Sequence, residues 1–157
     1  MIRRTILAAA MAFLSPFAAA GAFAQSAPTY FVVLNGANEC DSTAAPAGPI
    51  CKKGDPDGYG SATIIQTTAA SLCFAVVVNR IDVPVAMHIH SGAAATNGAV
   101  VVPLAPIPGA GNPGTSSGCV GGLAAAVTTA IRNNPGLFYF NIHTAAFPAG
   151  ALRGQLF

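Results

Sequence analysis

Gly60-Ser61-Ala62-Thr63-Ile64-Ile65-Gln66-Thr67, then Thr68-Ala69-Ala70, then Ser71-Leu72-Cys73-Phe74-Ala75-Val76-Val77-Val78-Asn79 is the stretch that decides the fold. β-Branched and aromatic residues suit a pleated, extended backbone, and a three-residue gap between two such runs is hairpin spacing. In the second run, Leu72, Phe74, Val76 and Val78 alternate with Cys73, Ala75, Val77 and Asn79. Both sets are largely apolar, which predicts a central strand.

Working outward, the same pattern predicts strands over residues 29–35, 85–91, 99–104, 137–143 and 151–157. Pro103 marks the fourth run as an edge or a strand end, because proline cannot donate to a ladder. In 137–143, Phe138, Phe140 and Ile142 form an aromatic, core-seeking face. Leu137, Tyr139, Asn141 and His143 share the other. Residues 123–133 differ. Leu123, Val127 and Ile131 recur every four residues in an Ala-rich run closed by Asn134-Pro135-Gly136, which predicts one short helix. Residues 37–58 and 105–119 are rich in small and turn-forming residues, lack a period and read as loops. About seven short strands with turn signals between them predict an all-β antiparallel sandwich or barrel, with the helix in a crossover.

Arg3-Arg4 precede an apolar run that ends in Ala22-Phe23-Ala24. A basic start, an apolar middle and a small-x-small end predict a secretory signal over residues 1–24, leaving residues 25–157 as one domain. Ser15-Pro16 interrupts the run, so no membrane anchor is expected after cleavage. Arg3-Arg4 also permit twin-arginine export. The expected destination is the periplasm or the exterior.

Beyond residue 24, Lys52, Lys53, Arg80, Arg132 and Arg153 face Glu39, Asp41, Asp55, Asp57 and Asp82. That balance offers no basic patch, and nucleic acid is not an expected partner. Asp55-Pro56-Asp57-Gly58 resembles the start of a calcium loop but lacks the downstream acid, so it reads as a turn. Cys40, Cys51, Cys73 and Cys119 imply two disulfides in an oxidising compartment. Three pairings are open. Cys40–Cys51, across a turn-rich loop, and Cys73–Cys119, from a strand to a distant loop, are favoured, at roughly 3 and 4 kcal/mol in the chain-entropy model. A four-cysteine zinc site is disfavoured, since no Cys-x-x-Cys pair exists.

The chain has three histidines: His88, His90 and His143. In a strand, His88 and His90 project from one face. Three imidazoles suit copper or zinc. The competing reading is structural, with each ring hydrogen-bonded to backbone at a strand–loop junction. No Ser/His/Asp triad, paired-carboxylate pattern or phosphate-binding glycine loop is present.

The motif His88-Ile89-His90-Ser91-Gly92, followed by Asn97-Gly98-Ala99-Val100-Val101, resembles the first mark of the chordin-domain (CHRD) family. Asn141-Ile142-His143-Thr144, followed by Pro148-Ala149-Gly150-Ala151-Leu152-Arg153-Gly154-Gln155-Leu156, resembles the second. Leu34-Asn35-Gly36-Ala37-Asn38-Glu39 is similar to the family's opening. Two departures stand out. Ala151 replaces an acid, and a cysteine-bounded loop from Cys40 replaces Val-Pro-Pro. The resemblance implies an extracellular β-rich domain and little about activity. A fainter resemblance links His88, His90, His143 and Arg153 to the copper/zinc superoxide dismutases, which implies a Greek-key sandwich or barrel. The long zinc loop of those enzymes, with its further histidines and Asp, is absent.

Three functions therefore stand open. The first is a non-catalytic domain binding copper or zinc through His88, His90 and His143, with Arg153, Asn141, Tyr139 and Thr144 around them to orient ligands or attract an anion. The second is a module that binds an extracellular protein or glycan, its histidines purely structural. The third is a superoxide-dismutase-like copper enzyme.

Overall fold

The computed structural model of the protein describes residues 27–41 and 50–157. The expected signal at 1–24 lies outside them. In chain order the elements are β1 (Thr29–Asn35), a 3-10 turn (Gly36–Asn38), β2 (Cys40–Asp41), β3 (Ile50–Cys51), β4 (Tyr59–Thr68), β5 (Ser71–Asn79), β6 (Pro84–Ser91), β7 (Val100–Pro103), β8 (Gly114–Val120), α1 (Ala125–Asn133), a second 3-10 turn (Pro135–Leu137), β9 (Phe138–Thr144) and β10 (Leu152–Gln155).

Eight strands form one antiparallel sheet in the order β7-β6-β9-β10-β1-β4-β5-β8, and β2 pairs with β3. The sheet curls into a nearly closed barrel around one core. Closing the gap between the edge strands would give the order β5-β8-β7-β6, a Greek key. The β7–β8 connection crosses that gap, and Ser116 Oγ donates to the Pro106 carbonyl. Covering the exposed strand edge in this way blocks pairing with another chain.

The alternation read from sequence sets the core. Val32, Leu34, Ile64, Leu72, Phe74, Val78, Ile89, Phe140, Ile142 and Leu152 all point inward and are buried. Each contributes roughly 1.5–3 kcal/mol on burial. Ile131 of α1 reaches the same core, with Leu123 and Val127 packed against it. Thr128 Oγ1 donates to the Ala69 carbonyl, which ties α1 to the β4–β5 turn. Asp55-Pro56-Asp57-Gly58 is a turn closed by Gly58 N–H on the Asp55 carbonyl.

Two expectations need correction. Residues 105–119 are not all loop, because β8 occupies Gly114–Val120. Its Gly, Thr and Ser residues carry little strand signal. It holds its form by pairing with β5 along its length and by the disulfide Cys73–Cys119. Residues 37–58 likewise contain the short β2–β3 pair, joined by Cys40–Cys51. Both favoured disulfides are present, each between directly opposed residues. β5 does have neighbours on both sides, but only its Leu72, Phe74, Val76 and Val78 face is in the core.

Candidate metal centre

β6 and β9 are antiparallel neighbours, in a register that sets Ala86 opposite His143, His88 opposite Asn141 and His90 opposite Tyr139. Opposed residues point to the same face. The outer face of this pair therefore carries His88 and His90 on one strand, and Tyr139, Asn141 and His143 on the other. β10 adds Arg153 opposite Asn141 and Gln155 opposite Tyr139. The inward residues Met87, Ile89, Phe140 and Ile142 anchor the platform in the core.

All three histidines are half-buried, and one ring nitrogen from each lies within 4.8 Å of the other two. A point then exists within about 2.8 Å of all three, to be compared with the 2.0–2.1 Å of a zinc–imidazole bond. Backbone carbonyls fix two of the rings. His90 Nδ1 donates to the Gly98 carbonyl at 2.9 Å, and His143 Nδ1 to the Pro148 carbonyl at 3.0 Å. A carbonyl only accepts, so both rings carry their proton on Nδ1 and present a lone pair at Nε2. His88 Nδ1–H therefore donates to His143 Nε2 at 3.3 Å. His90 Nε2 is buried and has no partner.

The surroundings of His88 and His90 favour their neutral forms. Burial pushes His88 below the ordinary histidine range, reinforced by the neighbouring His143 and His90. Burial also lowers His90; the Gly98 carbonyl opposes this, and His143 and Arg153 add to it. Neutral imidazole is the form that binds metal.

The surrounding residues orient the histidines and their loops. Tyr139 stacks on His90, with ring centroids 4.8 Å apart and planes 9° from parallel. The Arg153 guanidinium lies 3.5 Å from the Tyr139 centroid. β6 and β10 flank β9, so these two partners approach Tyr139 from opposite sides. Tyr139 Oη accepts from Gly98 N–H, whose own carbonyl holds His90. A Cβ on Gly98 would fall 1.5 Å from the Ser91 carbonyl oxygen, so only glycine fits there. Arg153 donates to the carbonyls of Ala93 and Thr96 and to the side chains of Asn97 and Gln155. It is 1% exposed. The anion-attracting role expected of Arg153 therefore finds no support. Its charge is committed to the 93–97 loop and the Tyr139 ring. Thr144 is also turned away, with its hydroxyl accepting from Phe147 N–H and shaping the turn that delivers Pro148 to His143.

A CHRD domain profile matches residues 30–156. The chain belongs to the CHRD-domain family. Comparison with curated proteins and with solved structures gives no match. The match spans both histidine motifs, and the CHRD fold brings those motifs onto adjacent strands. Its two disulfides fit an extracellular module, and among the described residues no helix is long and apolar enough to cross a membrane.

The CHRD platform also includes a residue that the sequence does not single out by pattern. Glu39 is 5% exposed and accepts a short hydrogen bond from Asn141 Nδ2, which also donates to the Leu152 carbonyl. Burial raises its carboxyl to about 7, against the lowering effects of Arg153 and Asn141. The available signal was its place as the last residue of the family's opening motif, Leu34 to Glu39.

Proposed function

We propose that this CHRD domain is a secreted or periplasmic, non-catalytic protein that binds one copper or zinc ion through His88, His90 and His143. The observation that carries this reading is the unpartnered, buried Nε2 of His90. Buried polar atoms in folded proteins are almost always hydrogen-bonded, and a purely structural trio would satisfy its own nitrogens. The Nδ1–H bonds to Gly98 and Pro148 add support, because metal-binding histidines commonly donate their second nitrogen to a carbonyl. Metal binding would break the His88–His143 hydrogen bond and free His143 Nε2 to ligate. Three imidazoles would leave a fourth position for water or a partner's ligand.

The test is titration of the purified protein with Cu(II) and with Zn(II), read by calorimetry and elemental analysis. The expected result is one ion per chain, with affinity lost in His88→Ala and in His143→Ala. Unchanged binding in both variants would overturn the proposal. Assay of the copper-loaded protein for superoxide turnover separates a binder from an enzyme, and the expected rate is no higher than that of free buffer-bound copper.

A further inference from the structure

We propose that Glu39 is the anionic positioning residue of this centre, offsetting the charge of the bound cation and favouring a divalent over a monovalent ion. The inference rests on the three-histidine reading above and deepens it.

Its position is fixed by two routes. The Glu39 carboxylate is bonded to Asn141, which is opposite His88 in the β6–β9 register and two residues before His143 on the same face. One amide therefore separates the carboxylate from the strand positions of two proposed ligands. The second route runs through the turn after β9. A Cβ on Gly150 would fall 2.5–2.6 Å from the carboxylate carbon and oxygens, and the φ of +147° there favours glycine. That glycine closes the turn whose Pro148 carbonyl orients His143. Glu39 thus braces both the amide between the ligands and the turn that aims one of them.

The charges around Glu39 leave it work to do. From β10 comes Arg153, whose donors are committed to Asn97, Gln155 and the 93–97 loop. From the segment after β3 comes Lys53, which shares with Glu39 a cleft of about 340 Å³ also lined by Asn97, Ala149 and Gly150. β9 contributes the uncharged amide of Asn141. A buried carboxylate without a dedicated ion pair is costly. A divalent cation at the histidines would supply the missing positive charge, and each would stabilise the other through the low-dielectric platform.

The experiment compares wild type, Glu39→Gln and Glu39→Asp as purified proteins. It measures affinities for Zn(II) and Cu(I) by chelator competition, and the Cu(II)/Cu(I) potential. Glu39→Gln keeps the size and the acceptor for Asn141, so a folded protein is expected by circular dichroism. The expected loss of Zn(II) affinity is about 10-fold, at the low end for residues beyond the ligands because Glu39 acts through Asn141, with a smaller loss for Cu(I). A tenfold selective loss of Cu(II) appears as a potential raised by about 59 mV for one electron. Glu39→Asp should restore much of the divalent preference. Equal weakening of both ions with an unchanged potential would overturn the proposal, leaving Glu39 a structural role only. Unaltered binding in Glu39→Gln would overturn it too. A wild-type protein that binds neither ion would instead overturn the three-histidine reading.

Discussion

His88 Nδ1 lies 3.3 Å from His143 Nε2, although 55 residues separate them in the chain. The contact exists because β6 and β9 are neighbours in a register that sets Ala86, not His88, opposite His143. The diagonal offset lets the two rings meet edge-on, at 64° between planes. The offset also leaves His90 free to stack on Tyr139. His88→Ala should therefore abolish metal binding while leaving the fold intact, because His88 is only half-buried and its inward neighbours Met87 and Ile89 carry the packing. Thermal unfolding of the metal-free variant checks this, with a cost of under about 1.5 kcal/mol expected.

The pH dependence of metal binding follows from His88 and His90, both held below the ordinary histidine range. Ligand imidazoles must be neutral, so binding persists down to a pH below the unperturbed value of about 6.5 and then falls. The same shift links to stability. A histidine whose folded pKa is lowered binds fewer protons folded than unfolded. Its stabilising contribution is present above about 6.5 and is lost as pH falls through the lowered folded value. A metal-release midpoint above 6.5 would contradict this.

Glu39 acts in the opposite sense in the metal-free protein. Its carboxyl is raised to about 7, so the folded state holds the proton more tightly than the unfolded state. Stability is lost as pH rises from about 4.5 through 7. Glu39→Gln removes that dependence. Against wild type it should gain stability over this window, on the order of 3 kcal/mol at pH 8 and near zero at pH 4. Urea unfolding at both pH values measures the difference. The variant should thus be more stable without metal and a weaker binder with it.

Arg153 is expected to be a structural keystone for the 93–97 loop. It is 1% exposed, makes four hydrogen bonds and covers the Tyr139 ring. Arg153→Met leaves the Ala93 and Thr96 carbonyls and the Asn97 side chain without these donors and should cost about 3 kcal/mol or more. Arg153→Lys should recover little, because an ammonium cannot serve the planar fork and the ring together. Chemical denaturation reads the cost, and accelerated proteolysis within residues 93–97 reads its location.

Much of this was legible in the sequence. Runs of β-branched and aromatic residues marked β1, β4, β5, β6 and β9, because such side chains suit an extended backbone with one face in the core. The spacing of Leu123, Val127 and Ile131 gave α1 because one helix face docks on that core. β8 was not legible. Its side chains are small and polar, and its strand form comes from pairing with β5, a long-range effect that local pattern does not carry. The histidine trio could be nominated from His88-Ile89-His90 and His143, but whether the rings meet depends on strand order and register. Arg153 reads from sequence as a charge near the site. Only its geometry reveals that the charge is spent inside the protein. Glu39 escaped because a single acid in a turn has no periodicity; its meaning comes from Asn141, 102 residues away.

On the reading proposed above, His88, His90 and His143 hold one metal ion. The most direct measurement is a crystal structure of the zinc-soaked protein with anomalous diffraction recorded at the zinc edge. The expected result is one strong peak bonded to all three imidazoles at about 2.0–2.1 Å, with His90 and His143 ligating through Nε2. Zinc-saturated crystals with no peak at the trio, or a peak only at surface carboxylates, would contradict it.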